Sequence, residues 1–438
     1  MKKSTFRGGV HPFDGKDISK DKKIEVLLPK GDLVFPLSQH IGAPAKPVVK
    51  KGDTCLAGQL IAEADGFISA NIHSSVSGTV KAIEPRVLAN GSTVNCIVIE
   101  NDNLYQHVEY EAKTLEELTP EEIRERVKAA GVVGMGGAGF PTNVKLTPKN
   151  QDDIDYIIVN GAECEPYLTS DYRRMLEESE KVKEGLRVVL TLFPKAAGVI
   201  AIEDNKPEAI KVMSEAVADE PRMRVEVVKT KYPQGGERAL IYAVTKRRIN
   251  SKMLPADVNC IVHNVDTITT IYDAVIEGKP LTQRIVTVTG EAVVNPQNYN
   301  VYIGTDFTEL LEAAGGVNTE VCKYISGGPM MGFAMTRLDV PVTKGTSSLL
   351  VMKEDVVANL TETACIRCGR CIHACPSHVM PAKLAGFAAR GNVEAFEKFG
   401  GMECCECGCC SFICPAKKPL TQTIKSMRKN ILASRKKS

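Results

Sequence analysis

The sequence predicts a multidomain α/β protein built from an N-terminal β domain, a central α/β domain, a small mixed β module and a helical, cysteine-rich C-terminal domain. Three observations carry this. The hydrophobic pattern changes period along the chain: strand-like from Ile24 to Glu100, alternating helix and strand from Thr119 to His263, then strand-like again from Arg284. Of 15 cysteines, eight fall in two copies of one spacing between Cys365 and Cys414. At 438 residues, the chain is long enough for about two to four domains, each burying its own core.

Charge is nearly balanced, 55 basic against 53 acidic residues, which excludes a global field suited to nucleic acid. No stretch approaches the ~18 consecutive apolar residues of a spanning helix, and Met1 to Arg7 lacks the apolar core of a signal peptide. The expectation is a chain without a transmembrane segment, cytosolic in character, serving a membrane only through partners.

From Ile24 to Glu100, short runs of Val, Ile and Leu are broken by Gly, Pro and Asn. Within them G-D-T-C-L-A-G-Q-L-I-A-E and H-S-S-V-S-G-T-V-K-A-I-E resemble the two halves of a lipoyl- or biotinyl-type barrel-sandwich domain. The tip between the halves, Ala64 to Ala70, has no lysine to modify. A structural or docking module is expected over 1–114, not a swinging arm.

Thr119-Pro120-Glu121-Glu122 supplies an N-cap, a first-turn proline and early acids for a helix whose buried stripe is Ile123, Val127 and Ala130. G-V-V-G-M-G-G-A-G-F-P-T follows. Gly134, Gly136 and Gly139 satisfy G-x-G-x-x-G, but a helix stands where the dinucleotide fingerprint requires a strand. What the composition supports is physical. Four glycines in the six residues from Gly134 to Gly139 let backbone amides close around a phosphate or a flat ring without Cβ obstruction. Phe140 and Lys145 beside them favour a ligand loop over a plain flexible one.

A buried strand, Asp155 to Val159, runs into N-G-A-E-C-E-P, placing Asn160, Glu163 and Glu165 at the carboxyl edge of a sheet, where α/β folds bind ligands. Alternating patterns continue through Glu177 to Leu192, Ala197 to Ile202, Pro207 to Val217 and Val225 to Lys229. They lead to Y-P-Q-G-G-E-R-A-L, a glycine turn opening a helix, and to the strand Cys260 to His263 followed by N-V-D-T. This α/β domain is assigned to 115–280. From Arg284 the order strand, turn at Asn295-Pro296, strand, Gly-Thr and helix from Phe307 to Ala314 suits a β-grasp module over 281–350.

In the last domain, 351–438, Cys365, Cys368, Cys371 and Cys375 stand in C-x2-C-x2-C-x3-C-P spacing, repeated by Cys404, Cys407, Cys410 and Cys414. Zinc sites pair C-x2-C arms across a longer gap and have no use for a third thiolate followed by C-P. A disulfide framework suits small secreted chains. The spacing fits two [4Fe–4S] clusters, with the fourth cysteine of each motif crossing to the other cluster. Cys365, Cys368, Cys371 and Cys414 would hold one, Cys404, Cys407, Cys410 and Cys375 the other, leaving Cys405 and Cys409 as spectators. A helical stretch, Pro381 to Phe399, fills the gap. The tail from Pro415 carries eight Lys or Arg and no acid. With Leu420, Ile424, Met427 and Ile431 it reads as a basic amphipathic helix, able to lie on an anionic membrane or an acidic partner. A solvated chain end is the commoner case and is the expectation.

Taken together, the barrel-sandwich halves, G-M-G-G-A-G-F-P-T, N-G-A-E-C-E-P, Y-P-Q-G-G-E, N-V-D-T, the β-grasp pattern and the twin cysteine motifs resemble, in order and over essentially the whole chain, the C subunit of Rnf electron-transport complexes. The central part is similar to the flavin- and NADH-binding subunit of respiratory complex I. The resemblance implies FMN, an NAD(H) site and two [4Fe–4S] clusters. It also implies a peripheral subunit on the cytoplasmic face of an ion-translocating ferredoxin:NAD oxidoreductase, passing electrons to or from a ferredoxin-like subunit. By the same resemblance Gly134, Gly136, Gly137 and Gly139 would wrap the flavin phosphate with Lys145 as its charge partner. Asn160 and Glu163 would hold the ring and ribityl chain, and Tyr232, Gly235, Asn264 and Thr267 would complete the pocket. Phe140 would stack on the nicotinamide nucleotide, and Glu165 and Glu237 would hydrogen-bond it.

Met135, Ala162 and Gly236 depart from the complex I pattern of arginine, aspartate and glutamate, and the second cluster motif favours Rnf. No acid–base or nucleophilic catalyst is expected, and His263, His373 and His378 read as packing or polar residues. Two other readings share these motifs: a cobalamin reductase on the same scaffold, and an electron-carrying adaptor that has lost the nucleotide.

Overall fold

A computed structural model of the chain describes residues 3–437, with side chains through 435. The N-terminal β domain is two small antiparallel sheets. Leu33–Pro36, Thr93–Asn101, Gly78–Val87 and Thr54–Cys55 form one, and Lys46–Pro47, Leu60–Glu63 and Ile72–His73 the other. Their apolar faces enclose a core that includes Phe35, Ile61, Ile72 and Ile99. Val133 and Met135, from the edge of the glycine loop, are buried in the same core, so the loop is anchored on the neighbouring domain.

The central domain is a parallel sheet in the order Met223–Val228, Ala197–Glu203, Tyr156–Gly161, Cys260–Asn264. Its strands are near-continuous apolar runs because helices cover them. The helix Pro120–Ala129 opens with a capping box between Thr119 and Glu122 and buries Ile123 and Val127. The helical pattern from Glu177 to Leu192 is the helix Ser179–Leu192, and a separate helix, Ser170–Glu177, precedes it. From Tyr156–Gly161 the chain winds first to one side and later to the other, so the switch point of the sheet lies between this strand and Cys260–Asn264. That is where α/β sheets open a ligand crevice.

The β-grasp module extends into a six-stranded sheet in the order Ile24–Leu27, Gln297–Tyr302, Gln283–Thr289, Ser348–Met352, Lys323–Ser326, Phe333–Met335. Its edge strand Ile24–Leu27 comes from the N-terminal segment, which the sequence groups with the β domain. That segment straps the molecule together. Ser4 bridges Val228, Val10 exchanges backbone hydrogen bonds with Tyr232 in both directions, and Gly9 donates to the carbonyl of Ala374.

In the C-terminal domain the gap between the cysteine motifs holds two helices, Pro381–Ala389 and Val393–Lys398, broken where Gly391 takes a positive φ. The tail helix Leu420–Lys437 lays Ile424, Met427 and Ile431 on Leu384 and Phe396. Its apolar stripe is therefore spent on the domain's own core and is not free for a membrane. Among the described residues, no helix is long and apolar enough to cross one.

Candidate functional site

The switch point is marked by two asparagines in register, Asn160 and Asn264, at the ends of adjacent strands. Above them opens a cleft of about 1330 Å³, larger than the ~300–1,000 Å³ common for one small-molecule site. Its walls include Met135 to Ala138 of the glycine loop, Asn160 to Glu165, Tyr232 to Glu237, and Ser326 to Phe333 of the β-grasp module.

The N-G-A-E-C-E-P segment is held by buried charge. Asn160 donates from Nδ2 to the Gly235 carbonyl at 2.9 Å. Glu163, in a left-handed backbone conformation (φ 46°), accepts from the Asp171 amide at 2.7 Å. Lys16, from the N-terminal strap, donates to the carbonyls of Glu165 and Leu168 and lies 3.7 Å from the Glu163 carboxylate. Burial lowers the Lys16 pKa. From the other side Lys206 donates to the Ala162 carbonyl and pairs with Glu203, whose pKa burial pushes up to about 7. The Cys164 thiol accepts from the Gly235 amide and is pushed up to about 12, chiefly by burial.

Of the residues singled out from the sequence, Gly136, Gly137, Asn160, Glu163, Glu165, Tyr232, Gly235, Glu237 and Asn264 line the cleft. Gly136 is required there, because a Cβ would come within 2.7 Å of Asn264. Gly134, Gly139, Phe140, Lys145 and Thr267 do not line it. The amide of Gly134 is bonded to the Phe140 carbonyl, and Gly139 turns the loop (φ 68°) against Gln39 and His40. Lys145 donates to the Val262 carbonyl and sits 3.6 Å from Glu237, while Thr267 accepts from the Met135 amide at 3.0 Å. These five support the loop from behind. The Glu165 carboxylate is occupied by the amides of Met330 and Met331 at 2.7 and 3.0 Å, which docks the β-grasp loop onto the α/β domain. Burial raises its pKa.

Sequence reasoning missed Lys16, Asp171, Arg284 and the β-grasp loop from Ser326. Asp171 accepts from Asn264 Nδ2 at 2.7 Å. Burial, then Glu163 and Asp266, push its pKa up to about 7. The cleft fits a ligand bearing both donors and acceptors. Among its described lining residues two buried polar atoms make no hydrogen bond, the acceptor Glu163 Oε2, whose nearest cation Lys16 stands 3.7 Å away, and the donor Arg284 Nε.

At its far end the cleft reaches Cys405 and Cys407, which it shares with a second, small cavity. Six cysteines line that cavity: Cys375, Cys404, Cys407 and Cys410, and with them Cys405 and Cys409. The fourth cysteine of the first motif therefore stands among those of the second. Cys371 and Cys414 lie near enough for Cys414 to add to the raised pKa of Cys371, after burial. Cys365 and Cys368 are exposed. Among the described residues, no three His, Cys, Asp or Glu side chains gather around one metal-ion position. Thiols spread around a cavity suit a cube whose four irons each take one thiolate.

His263 is buried with Nε2 unpartnered, and burial lowers its pKa to about 3. His373 and His378 are exposed.

Comparison with known proteins assigns three segments. Residues 4–104 match the RnfC barrel sandwich hybrid domain, residues 127–273 the Nuo51 FMN-binding domain, and residues 285–334 the SLBB domain. The chain is 44% identical to the C subunit of the proton-translocating ferredoxin:NAD(+) oxidoreductase complex of Clostridium ljungdahlii, covering 97% of this chain and 93% of the relative. It is 42% identical to its counterpart in the Na(+)-translocating complex of Acetobacterium woodii, over 100% and 99%. Among solved structures, an NAD+-reducing [NiFe]-hydrogenase shares the fold at TM-score 0.52 and 20% identity, over 72% of this chain and 64% of that one. The chain belongs to the family of C subunits of ion-translocating ferredoxin:NAD+ oxidoreductase complexes.

Proposed function

We propose that this chain is the nucleotide-facing electron-transfer subunit of a membrane-bound, ion-translocating ferredoxin:NAD+ oxidoreductase. In this reading it sits peripherally on the cytoplasmic face and exchanges electrons with a ferredoxin-like partner subunit. Its cofactors are one FMN and two [4Fe–4S] clusters, with NAD(H) as substrate. One observation carries the reading: a single cleft runs from the switch point of an FMN-binding domain to the rim of a cavity lined by six cysteines.

Bound there, the flavin supplies the conversion between the two-electron chemistry of a nicotinamide and the one-electron chemistry of iron–sulfur clusters. The chain's part is placement. Gly136 and Gly137 allow close backbone approach, Asn160, Glu163, Tyr232, Gly235 and Asn264 form the flavin wall, and Glu237 faces the dinucleotide. Glu165 shapes the same space through the loop it holds. Gly134, Gly139, Lys145 and Thr267 fix the glycine loop. Phe140, at the loop's base and outside the cleft lining, is the stacking candidate for the nicotinamide. Cys375, Cys404, Cys407 and Cys410 hold the cluster beside the cleft, and Cys365, Cys368, Cys371 and Cys414 the one beyond it. No residue is needed as a nucleophile or general acid. The roles are divided over 1–114, 115–280, 281–350 and 351–438, with the β-grasp sheet taking Ile24–Leu27 from the first segment and its strand Ser348–Met352 crossing the last boundary.

The test is an anaerobic NADH titration of the cluster-reconstituted full chain, following flavin and iron–sulfur absorbance together. Bleaching of both bands is expected. If dithionite bleaches the clusters while NADH does nothing and denaturation releases no flavin, the chain is a cluster-carrying adaptor instead.

A further inference from the structure

The FMN-binding domain alone does not complete the cleft. Arg284, on the β-grasp strand Gln283–Thr289, lines it together with Gly345 and Ser347 of the same module. The side chain is 3% exposed. Its Nη1 donates to the Lys344 carbonyl, and its Nε–H has no acceptor. Asp171, Asp266 and Arg174 are the charges that face it. Both carboxylates already have donors of their own, Asn264 on Asp171 and Arg174 on Asp266. An unmade buried donor of this kind is destabilising, and folded chains keep few of them. The other buried orphan among the cleft-lining residues is an acceptor, Glu163 Oε2, on the α/β side. A ligand offering an acceptor oxygen to one wall and a donor to the other satisfies both.

We propose that Arg284 is a flavin-binding residue contributed by the β-grasp module, its guanidinium donating to an acceptor oxygen of the bound flavin. This rests on the reading of the cleft as the FMN site. The acceptor is either a phosphate oxygen or a ring carbonyl, and both demand the same donor. Flavin binding then requires the β-grasp module docked on the α/β domain, the contact that Glu165 makes through Met330 and Met331.

The experiment measures binding of FMN and riboflavin to the full chain with its clusters, for the wild type, Arg284→Lys and Arg284→Gln, with melting temperature and iron content as fold controls. Loss of a charge-assisted hydrogen bond predicts FMN binding weakened about 10- to 100-fold in Arg284→Gln, and less in Arg284→Lys. Weakening confined to FMN assigns the phosphate. Equal weakening of riboflavin, with a lowered flavin midpoint potential in Arg284→Gln, assigns a ring carbonyl. Folded variants that bind FMN within about twofold of the wild type overturn the proposal and leave the FMN site standing. A wild type that binds no FMN overturns both. Should neither variant fold, hydrogen exchange of wild-type segments 283–289 and 345–347 decides: protection by FMN supports the proposal, and its absence overturns it.

Discussion

The thiol of Cys409 donates to the carbonyl oxygen of Tyr232 at 3.7 Å. This contact joins the wall of the cleft to the loop that carries Cys404, Cys407 and Cys410. Cys409 is fully buried and packs with Val10, Tyr232 and Ala374, with Cys164 and Cys407 at the edge of the group. It is expected to seat the loop and not to bind iron. Cys409→Ala is expected to keep full iron and sulfide content while losing about 1 kcal/mol of stability. Cys410→Ala should lose about half the iron. Iron analysis and thermal denaturation of the two variants distinguish a spacer from a ligand.

Lys16 is the buried cation under the N-G-A-E-C-E-P turn. Lys16→Met leaves the Glu165 and Leu168 carbonyls without their donor and the Glu163 carboxylate without its nearest cation. Each buried acceptor left unpaired costs about 1–3 kcal/mol, and relief from burying an ammonium offsets part of this. A net loss of about 2 kcal/mol and weaker FMN binding are expected from chemical denaturation and flavin fluorescence. Unchanged flavin affinity would show that the strap only braces the fold.

Lys16 also shows where the sequence is legible and where it is not. The cluster cysteines and the glycine loop are local: their spacing alone implies ligation or close backbone approach. Asn160 and Asn264 are legible as strand ends, because two apolar runs each stop at a polar residue. Lys16 and Arg284 stand in stretches without a motif, and gain their roles only when the N-terminal strap and the β-grasp sheet fold onto the central domain. Phe140 and Lys145 read as ligand-facing from the sequence because they neighbour the loop. The short helix Thr142–Lys145 instead carries Lys145 back to the Val262 carbonyl. The tail helix is legible as amphipathic, but only the packed structure shows that Leu384 and Phe396 take its apolar side.

Asp171 makes stability depend on pH. Its carboxyl is raised to about 7 from 3.8, by burial first and then by Glu163 and Asp266, with Asn264 and Arg284 opposing. From about pH 4 to 7 the native state therefore holds a proton that the unfolded chain has released, so this group's contribution falls as pH rises through that window. Above it the full cost of a buried charge is present. Asp171→Asn keeps an acceptor for Asn264. It is expected to match the wild type near pH 4 and to be more stable at pH 8, by on the order of 1–3 kcal/mol. A constant difference across denaturation curves at the two pH values would remove Asp171 as the titrating group.

The sharpest prediction concerns which cysteine serves which cluster. Cys375 belongs by sequence to the first motif but lines one cavity with Cys404, Cys407 and Cys410, and with Cys405 and Cys409, while Cys414 of the second motif lies near Cys371. Crossed ligation is the outcome expected from this exchange, each motif's helical turn standing between its last cysteine and its own loop. Cys375→Ala should therefore disturb the same cluster as Cys407→Ala, and Cys414→Ala the same cluster as Cys368→Ala. Electron paramagnetic resonance of the reduced variants would sort the four into these two pairs, each retaining the spectrum of the undisturbed cluster. Pairing of Cys375→Ala with Cys368→Ala instead would mean that each motif closes on its own cluster, and the shared cavity would then be only a packing feature.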